Sequence, residues 1–258
     1  MSGLIAIYSD FGSRDYFAGV MKGVILSTNP DAHLVDSARE LDSFDVRRAA
    51  FVIKNSYLFF PPQTVHLAVV DPGVGSGRRP IAVQAGENLF VGPDNGIFTY
   101  VFKDFPSFSA YEIENPAYTL KATGSTFHGR DIFAPAAAHL SLGVKPAELG
   151  RAVEKPVMLE VSETVILSAE TAEGVAVYAD AFGNLISNIA ADGIENPVKI
   201  EIAGAFIDGV SDSYSSRARG AAVAVRGSSG FLEIAVNRGS ALERFGGEGT
   251  KIIVRKRT

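Results

Sequence analysis

The chain reads as an α/β protein: a three-layer first domain around a largely parallel sheet, then a smaller all-β, barrel-like domain. Two observations carry this. Up to about residue 150, short apolar runs alternate with segments of helical spacing, the rhythm of βαβ units. Beyond it the segments are short, β-rich and separated by Gly, Asn or Asp turns. The boundary falls between Gly150 and Glu170, giving domains of residues 1–160 and 161–258.

Each element follows from its pattern. Leu4–Tyr8 is an apolar strand ending in Ser9-Asp10-Phe11-Gly12. A helix runs from Asp15, read as its N-cap, to Ser27, and Asn29-Pro30 stops it. Ala32–Val35 is a strand ending in Asp36. From Asp45 to Phe59, Val46, Ala49, Ala50, Ile53 and Tyr57 share one helical face, and Pro61-Pro62 ends the segment. Val65–Val70 is an apolar run that includes His66, and it reads as a buried strand. Strands at Ile81–Ala85 and Leu89–Val91 flank the turn Gly86-Glu87-Asn88, and a short helix follows near Ile97–Phe102. Arg130–Leu142 is helical, with Gly143 beyond its end. In the second domain the strands are Gly174–Asp180, Leu185–Ile189, Val198–Ile202, Ala221–Arg226, Phe231–Val236 and Ile252–Arg255.

Composition narrows the function. The 258 residues carry a net charge of −5, which argues against a nucleic-acid surface and suits a cationic or zwitterionic small molecule. The absence of cysteine excludes disulfides, thiolate catalysis and cysteine-ligated metals, and fits a reducing cytoplasm. No apolar run reaches membrane-spanning length, and the N-terminus lacks the basic start of a signal peptide.

The segment Val65–Pro80 is the most informative. An acid, Asp71, ends the buried run; Gly73, Gly75 and Gly77 follow at alternate positions, then Arg78 and Arg79. Ligands of open α/β sheets lie beyond the carboxyl ends of the strands. An acid there, with an arginine seven residues later on a glycine loop, sets opposite charges around one small volume. The loop lacks the Lys and Ser/Thr of a P-loop and leads into a strand rather than a helix, so close backbone approach suits its glycines better than a phosphate cradle.

Acids also follow other strands, at Asp10, Asp36 and Asp94. Asp36 reads as a solvated turn former. Asp10 and Asp15 share one turn entering a helix, where a carboxylate pair serves either as scaffold or as the holder of a ribose diol or an ammonium group. His33, His66 and His139 lie within apolar segments and read as structural or surface residues. His128 lies in the polar loop Thr126–Asp131 and is the stronger candidate for proton transfer. Asp, Arg and His together can polarise a water. In the second domain, Asp180–Asn188 and Gly227-Ser228-Ser229-Gly230 join strands; by spacing alone they are turns, yet they offer amides and hydroxyls suited to a nucleobase and an amino-acid end. Beside an enzyme that activates water, the residues leave open a metal-dependent phosphohydrolase built on Asp10, Asp36, Asp71 and His128 and a non-catalytic nucleoside binder.

Six segments, in order, resemble one family: SDFGSRDYFAGVMKG, VVDPGVGSGRR, GPDNG, STFHGRDIFAPAAAHL, DAFGNLISN and GSSGFLEIAVNRGSA. The family is that of the S-adenosyl-L-methionine hydroxide adenosyltransferases, relatives of the fluorinase and chlorinase. The resemblance implies hydrolysis of S-adenosyl-L-methionine (SAM) to adenosine and methionine, with no cofactor and no metal. It implies a homotrimer with SAM between the first domain of one subunit and the second domain of a neighbour. Asp71, Arg78 and His128 fall where the family activates water, and Asp10 where it binds ribose. Asp15 and Asp180 match acids near the methionine end, where Ser228 and Ser229 also fall. Asn184 matches the residue that reads adenine, and Phe182, Tyr214, Val236 and Arg238 complete that pocket. The halogenase branch fits less well: its tyrosine is Asp71 here, its halide-holding serine is Gly129, its Ser-Arg pair is Ser228-Ser229, and its inserted loop is replaced by Gly86-Glu87-Asn88.

Overall fold

The computed structural model describes residues 3–38, 40–121, 124–162, 164–168, 170–192, 194–195 and 198–256, Leu167 by its backbone alone. The chain divides into two compact units, Met1–Leu159 and Glu160–Thr258.

The first unit contains β1 (Leu4–Ser9), α1 (Phe17–Thr28), β2 (His33–Ala38), α2 (Val46–Ser56), β3 (Val65–Val69), β4 (Pro80–Ala85), β5 (Asn88–Pro93), α3 (Thr99–Asp104), β6 (Ser109–Glu112) and α4 (Ala134–Ser141). The sheet order is β2-β1-β3-β5-β4-β6. β2, β1, β3 and β5 pair in parallel, while β4 runs antiparallel to β5 and β6. Five of the six strands therefore share one direction, as the βαβ rhythm predicts. Every residue of β3 is buried, His66 included, which explains its apolar character.

Strand alternation divides the core between two faces. Ile7, Leu67, Met21, Ile25, Phe133 and Leu140 pack on one side of the sheet. Tyr8, Ala68, Ile53, Tyr57, Phe90 and Phe98 pack on the other. Each such fully buried aliphatic or phenylalanine side chain contributes roughly 1.5–3 kcal/mol.

Three local expectations change. The first helix begins at Phe17, with Tyr16 rather than Asp15 at its cap and no side-chain cap bond. Its entry is set by aromatic packing: the Phe17 ring lies 5.5 Å from Phe11 and 5.2 Å from Phe127. The second helix is capped by Asp45, whose carboxylate accepts from the Arg48 amide at 2.9 Å, but ends at Ser56 and tightens into a 3-10 turn at Tyr57–Phe59. The segment expected as one helix from Arg130 opens instead with a π turn, Gly129–Phe133, that runs into α4.

The second unit contains β7 (Val165–Ser168), β8 (Thr171–Ala179), β9 (Leu185–Ala190), β10 (Val198–Ile202), β11 (Ala205–Asp208), β12 (Ala222–Arg226), β13 (Phe231–Val236), α5 (Ala241–Phe245) and β14 (Lys251–Lys256). Its sheet runs β11-β10-β14-β8-β9-β13-β12, with β7 beside β8, and every pairing of named strands is antiparallel. The Ser211 amide donates to the Ala224 carbonyl at 2.8 Å, drawing the segment after β11 onto β12 and nearly closing a barrel. Leu185, Ile189, Ile200, Ile202, Ile234 and Ile252 fill its interior.

Candidate functional site

In the first unit the site is built at the carboxyl ends of β1 and β3. Asp10 follows β1, and Asp71 lies two residues beyond β3. The glycine loop then reverses the chain: the Val74 amide donates to the Asp71 carbonyl at 3.2 Å, and the Ser76 amide to the Gly73 carbonyl at 3.0 Å. Gly75 sits at φ +78°, and a Cβ there would lie 3.0 Å from the Ser125 carbonyl. The loop thus packs against the segment that leads to His128.

This reversal closes a charged contact. Arg78 Nε donates to both oxygens of Asp71 at 2.9 Å, and its Nη2 also meets Oδ2. The same Nη2 lies 2.7 Å from Nδ1 of His128. Two distant segments therefore meet, the Asp71–Arg78 loop and the turn at His128. The pair is dry, with side-chain exposures of 6% for Asp71 and 8% for Arg78, and the guanidinium carbon lies 5.1 Å from the centre of the Phe133 ring. Arg78 Nη1 is buried without a hydrogen-bond partner among the described residues, a cationic donor available to an anion. Burial, and then the Arg78 guanidinium, hold the His128 imidazole below its ordinary value, against the opposing pull of Asp71 and Asp131.

A cavity of about 380 Å³ opens here, lined by Asp10, Asp15, Asp71, His128, Phe44 and Gly129 among others. Asp10 Oδ2 accepts from the Phe44 amide at 2.9 Å, which leaves Oδ1 as the oxygen for a ligand. Phe44 was missed in the sequence. It precedes the cap of α2, where an apolar side chain ordinarily staples onto the helix. Here it takes φ 67° and remains 70% exposed. A larger cavity, about 760 Å³, opens at the amino ends of the strands beside Leu4, His33 and Leu89, and none of the predicted site residues lines it. Strand-end logic favours the smaller one.

In the second unit a cleft of about 640 Å³ is lined by Asp180, Phe182, Asn184, Tyr214, Val236 and Arg238, with Gly239. Asp180 organises the turn between β8 and β9. Its Oδ1 accepts from the amides of Phe182 at 2.9 Å and Asn184 at 2.8 Å, and its Oδ2 from Asn184 Nδ2 at 2.9 Å. With its NH₂ group so held, the acceptor that Asn184 can offer a ligand is Oδ1. Ser228 and Ser229 form the tip of the β12–β13 turn and do not line this cleft.

The sequence reading also missed Glu233. It lies on β13, only 6% exposed, and accepts from the Tyr214 hydroxyl at 2.5 Å. Burial pushes its carboxyl up, with Asp180 adding to the rise, while Tyr214 opposes it. Burial and Glu233 together raise the Tyr214 phenol. The signal was an acid inside the apolar run Phe231–Val236.

Of the four residues weighed for a metal, Asp36 does not line the cavity that Asp10, Asp71 and His128 share. Asp36 pairs with Lys22 at 2.7 Å, and Asp71 lies in the fork of Arg78. Among the described residues no group of three or more His, Asp or Glu is arranged to hold a metal ion. Of the other histidines, His33 is exposed, His66 is fully buried, and the His139 ring lies 5.0 Å from that of Tyr118. Among the described residues no helix is long and apolar enough to cross a membrane.

Both units match known proteins. Residues 5–150 match the model of the SAM hydroxide adenosyltransferase N-terminal domain, and residues 174–253 that of the C-terminal domain. An (R)-S-adenosyl-L-methionine hydrolase from Thermus thermophilus is 40% identical, over 92% of this chain and 93% of its own length. A fluorinase from Nocardia brasiliensis is 27% identical, over 92% of this chain and 91% of its own. A crystal structure of an uncharacterized conserved protein from Thermotoga maritima superposes with a TM-score of 0.91 at 34% identity, covering 98% of this chain and 100% of that one. With both domain models matched in order, the chain belongs to the SAM hydroxide adenosyltransferase family.

Proposed function

We propose that the protein hydrolyses SAM to adenosine and L-methionine. The observation that carries this reading is the meeting of Asp71, Arg78 and His128 beside a cavity that also holds Asp10. Hydrolase names among relatives of about 40% identity support it. Water oxygen attacks ribose C5′ in line with the C5′–S bond. That bond breaks, its electron pair neutralises the sulfonium as a thioether, and the water proton leaves to a base. The thioether needs no proton to depart, so one activated water suffices, and no cofactor enters.

The hydrogen bonds divide the labour. Because Arg78 donates to Nδ1 of His128, that nitrogen is an acceptor, and the neutral ring carries its proton on Nε2. His128 then serves as a donor that orients the water oxygen. Asp71 is the base, and the unpartnered Nη1 of Arg78 holds the nascent hydroxide. Asp10 takes the ribose hydroxyls. Asn184 Oδ1 accepts from the adenine amine, with Phe182, Tyr214, Val236 and Arg238 around the base. Asp15, Asp180, Ser228 and Ser229 attend the methionine end, and the buried Glu233 holds the Tyr214 hydroxyl. The active form we assign is a cytoplasmic homotrimer, each site shared by the first unit of one subunit and the second unit of a neighbour.

The test is incubation of the protein with SAM, followed by chromatography for adenosine. The relatives' names specify the R form, so both sulfonium epimers belong in the assay. No adenosine above the uncatalysed background from either epimer refutes the reading.

A further inference from the structure

The Asp71–Arg78 contact is supported from behind by the turn that follows β5. Asn95 Nδ2 donates to the carbonyl of Val70, the residue before Asp71, at 2.9 Å. Its Oδ1 accepts from the Ile97 amide at 3.2 Å, which fixes the direction of the amide group. Asp94 grips the other side. Its Oδ2 accepts from Nε of Arg79, the residue after Arg78, at 2.8 Å and from Nη2 at 2.5 Å, and its own amide donates to the Arg79 carbonyl at 2.9 Å. Asp94 Oδ1 accepts from the Val157 amide at 2.7 Å, and its side chain is 1% exposed.

We infer that Asp94 and Asn95 are positioning residues for the Asp71–Arg78 pair, each holding the chain neighbour of one partner. The inference rests on the hydrolase reading for its catalytic consequence, but not for its geometry. Val70 to Arg79 is the glycine loop between β3 and β4 and has no strand pairing of its own, so the angle at which the acid meets the fork needs outside anchors. Two adjacent side chains supply them, one at each end. Small misplacements at a reacting centre are expensive in rate.

Asn95→Asp is the discriminating variant. It keeps the size and the acceptor for Ile97, removes the donor to Val70, and sets a carboxylate against that carbonyl. Asn95→Ala removes both bonds. The readout that needs no substrate is solvent exchange of the Arg78 Nε–H, followed by ¹⁵N NMR and assigned by its loss in Arg78→Lys. We expect exchange in both Asn95 variants to quicken at least tenfold. With SAM, kcat falls at least tenfold, KM stays within twofold, and the melting temperature of Asn95→Asp stays within a few degrees of the parent. Arg79→Gln, which releases Asp94 from its fork, is expected to act in the same direction. Unchanged Arg78 exchange in folded Asn95→Asp and Asn95→Ala overturns the inference whether or not the parent hydrolyses SAM. A parent without hydrolysis overturns the hydrolase reading alone.

Discussion

Nη2 of Arg78 lies 2.7 Å from Nδ1 of His128 while also touching Asp71. A single nitrogen thus ties the acid to the imidazole and dictates which ring nitrogen bears the proton. A guanidinium cannot accept, so a proton on Nδ1 would break the bond.

From this contact follows a pH dependence. His128 has a folded value held below 6.5 by burial and by Arg78, so the neutral ring prevails at 6.5 and above. Activity that needs this form is present above the lowered value and lost as pH falls through it. The acid limb of kcat against pH is expected below 6.5. A limb at or above 6.5 assigned to His128 contradicts the arrangement.

Substitution separates chemistry from binding. Asp71→Asn and His128→Ala are expected to lower kcat by about 10²–10⁴-fold, the usual range for a positioned acid or base, with adenosine binding within a few-fold of the parent. Asp71→Ala is expected to lose turnover as well, and also to destabilise, because it leaves a buried guanidinium unpaired. Arg78→Lys is expected to be poor, since a point charge does not reproduce a fork that serves Asp71 and His128 together. Parental turnover in any of these variants removes that residue from the mechanism; calorimetry with adenosine supplies the binding arm.

The proposed sharing of each site between subunits is open to a complementation experiment. On that proposal Asp71→Asn disables only the first-unit half, and Asn184→Ala only the second-unit half. Mixed and reassembled, the two inactive proteins are expected to regain a fraction of parental activity, because some sites then combine two intact halves. No recovery from verified mixed oligomers argues against shared sites.

His66 gives a stability prediction unrelated to catalysis. It is fully buried between Tyr8, Tyr57, Phe60 and Phe90, with Nδ1 3.1 Å from the Tyr8 hydroxyl and Nε2 unpartnered. Burial pushes it down to about 3. In the unfolded chain it takes up a proton near 6.5, so its contribution is intact above that pH and is lost as pH falls toward 3. At 1.36 kcal/mol per pH unit the ceiling is on the order of 5 kcal/mol. Urea unfolding of His66→Gln, which keeps an acceptor for Tyr8, is expected to show a flatter decline over that window. A decline equal to the parent's assigns the acid sensitivity elsewhere.

What was legible in the sequence was whatever depends on burial period or on residue type at a strand end. β3 is apolar but for His66 because helices cover both faces, and Asp71 stands out because the run stops there. Short exposed elements were not legible. β6, β7 and β11 have four residues each, too few for alternation to emerge. Glu233 was passed over because an acid in a strand ordinarily faces water; only the fold shows Tyr214 beside it. The π turn was invisible because hydrogen-bond register leaves no mark on hydrophobic spacing.

That turn sets where the imidazole points. α4 is anchored in the core through Ala134, Ala136, Ala137, Ala138 and Leu140, so its azimuth is fixed from below. Each residue of helix advances the chain by about 100°, and a π turn holds one residue more than an α turn. Deleting a single residue within Gly129–Phe133 would therefore swing His128 roughly a quarter of a revolution away from Arg78 while the helix beneath stayed seated. Such a deletion is expected to silence hydrolysis with little loss in melting temperature; retained activity would show that the ring finds its partner by another route. The length of this segment acts as a phase setting, through which a one-residue indel can change the chemistry of the chain and spare its fold.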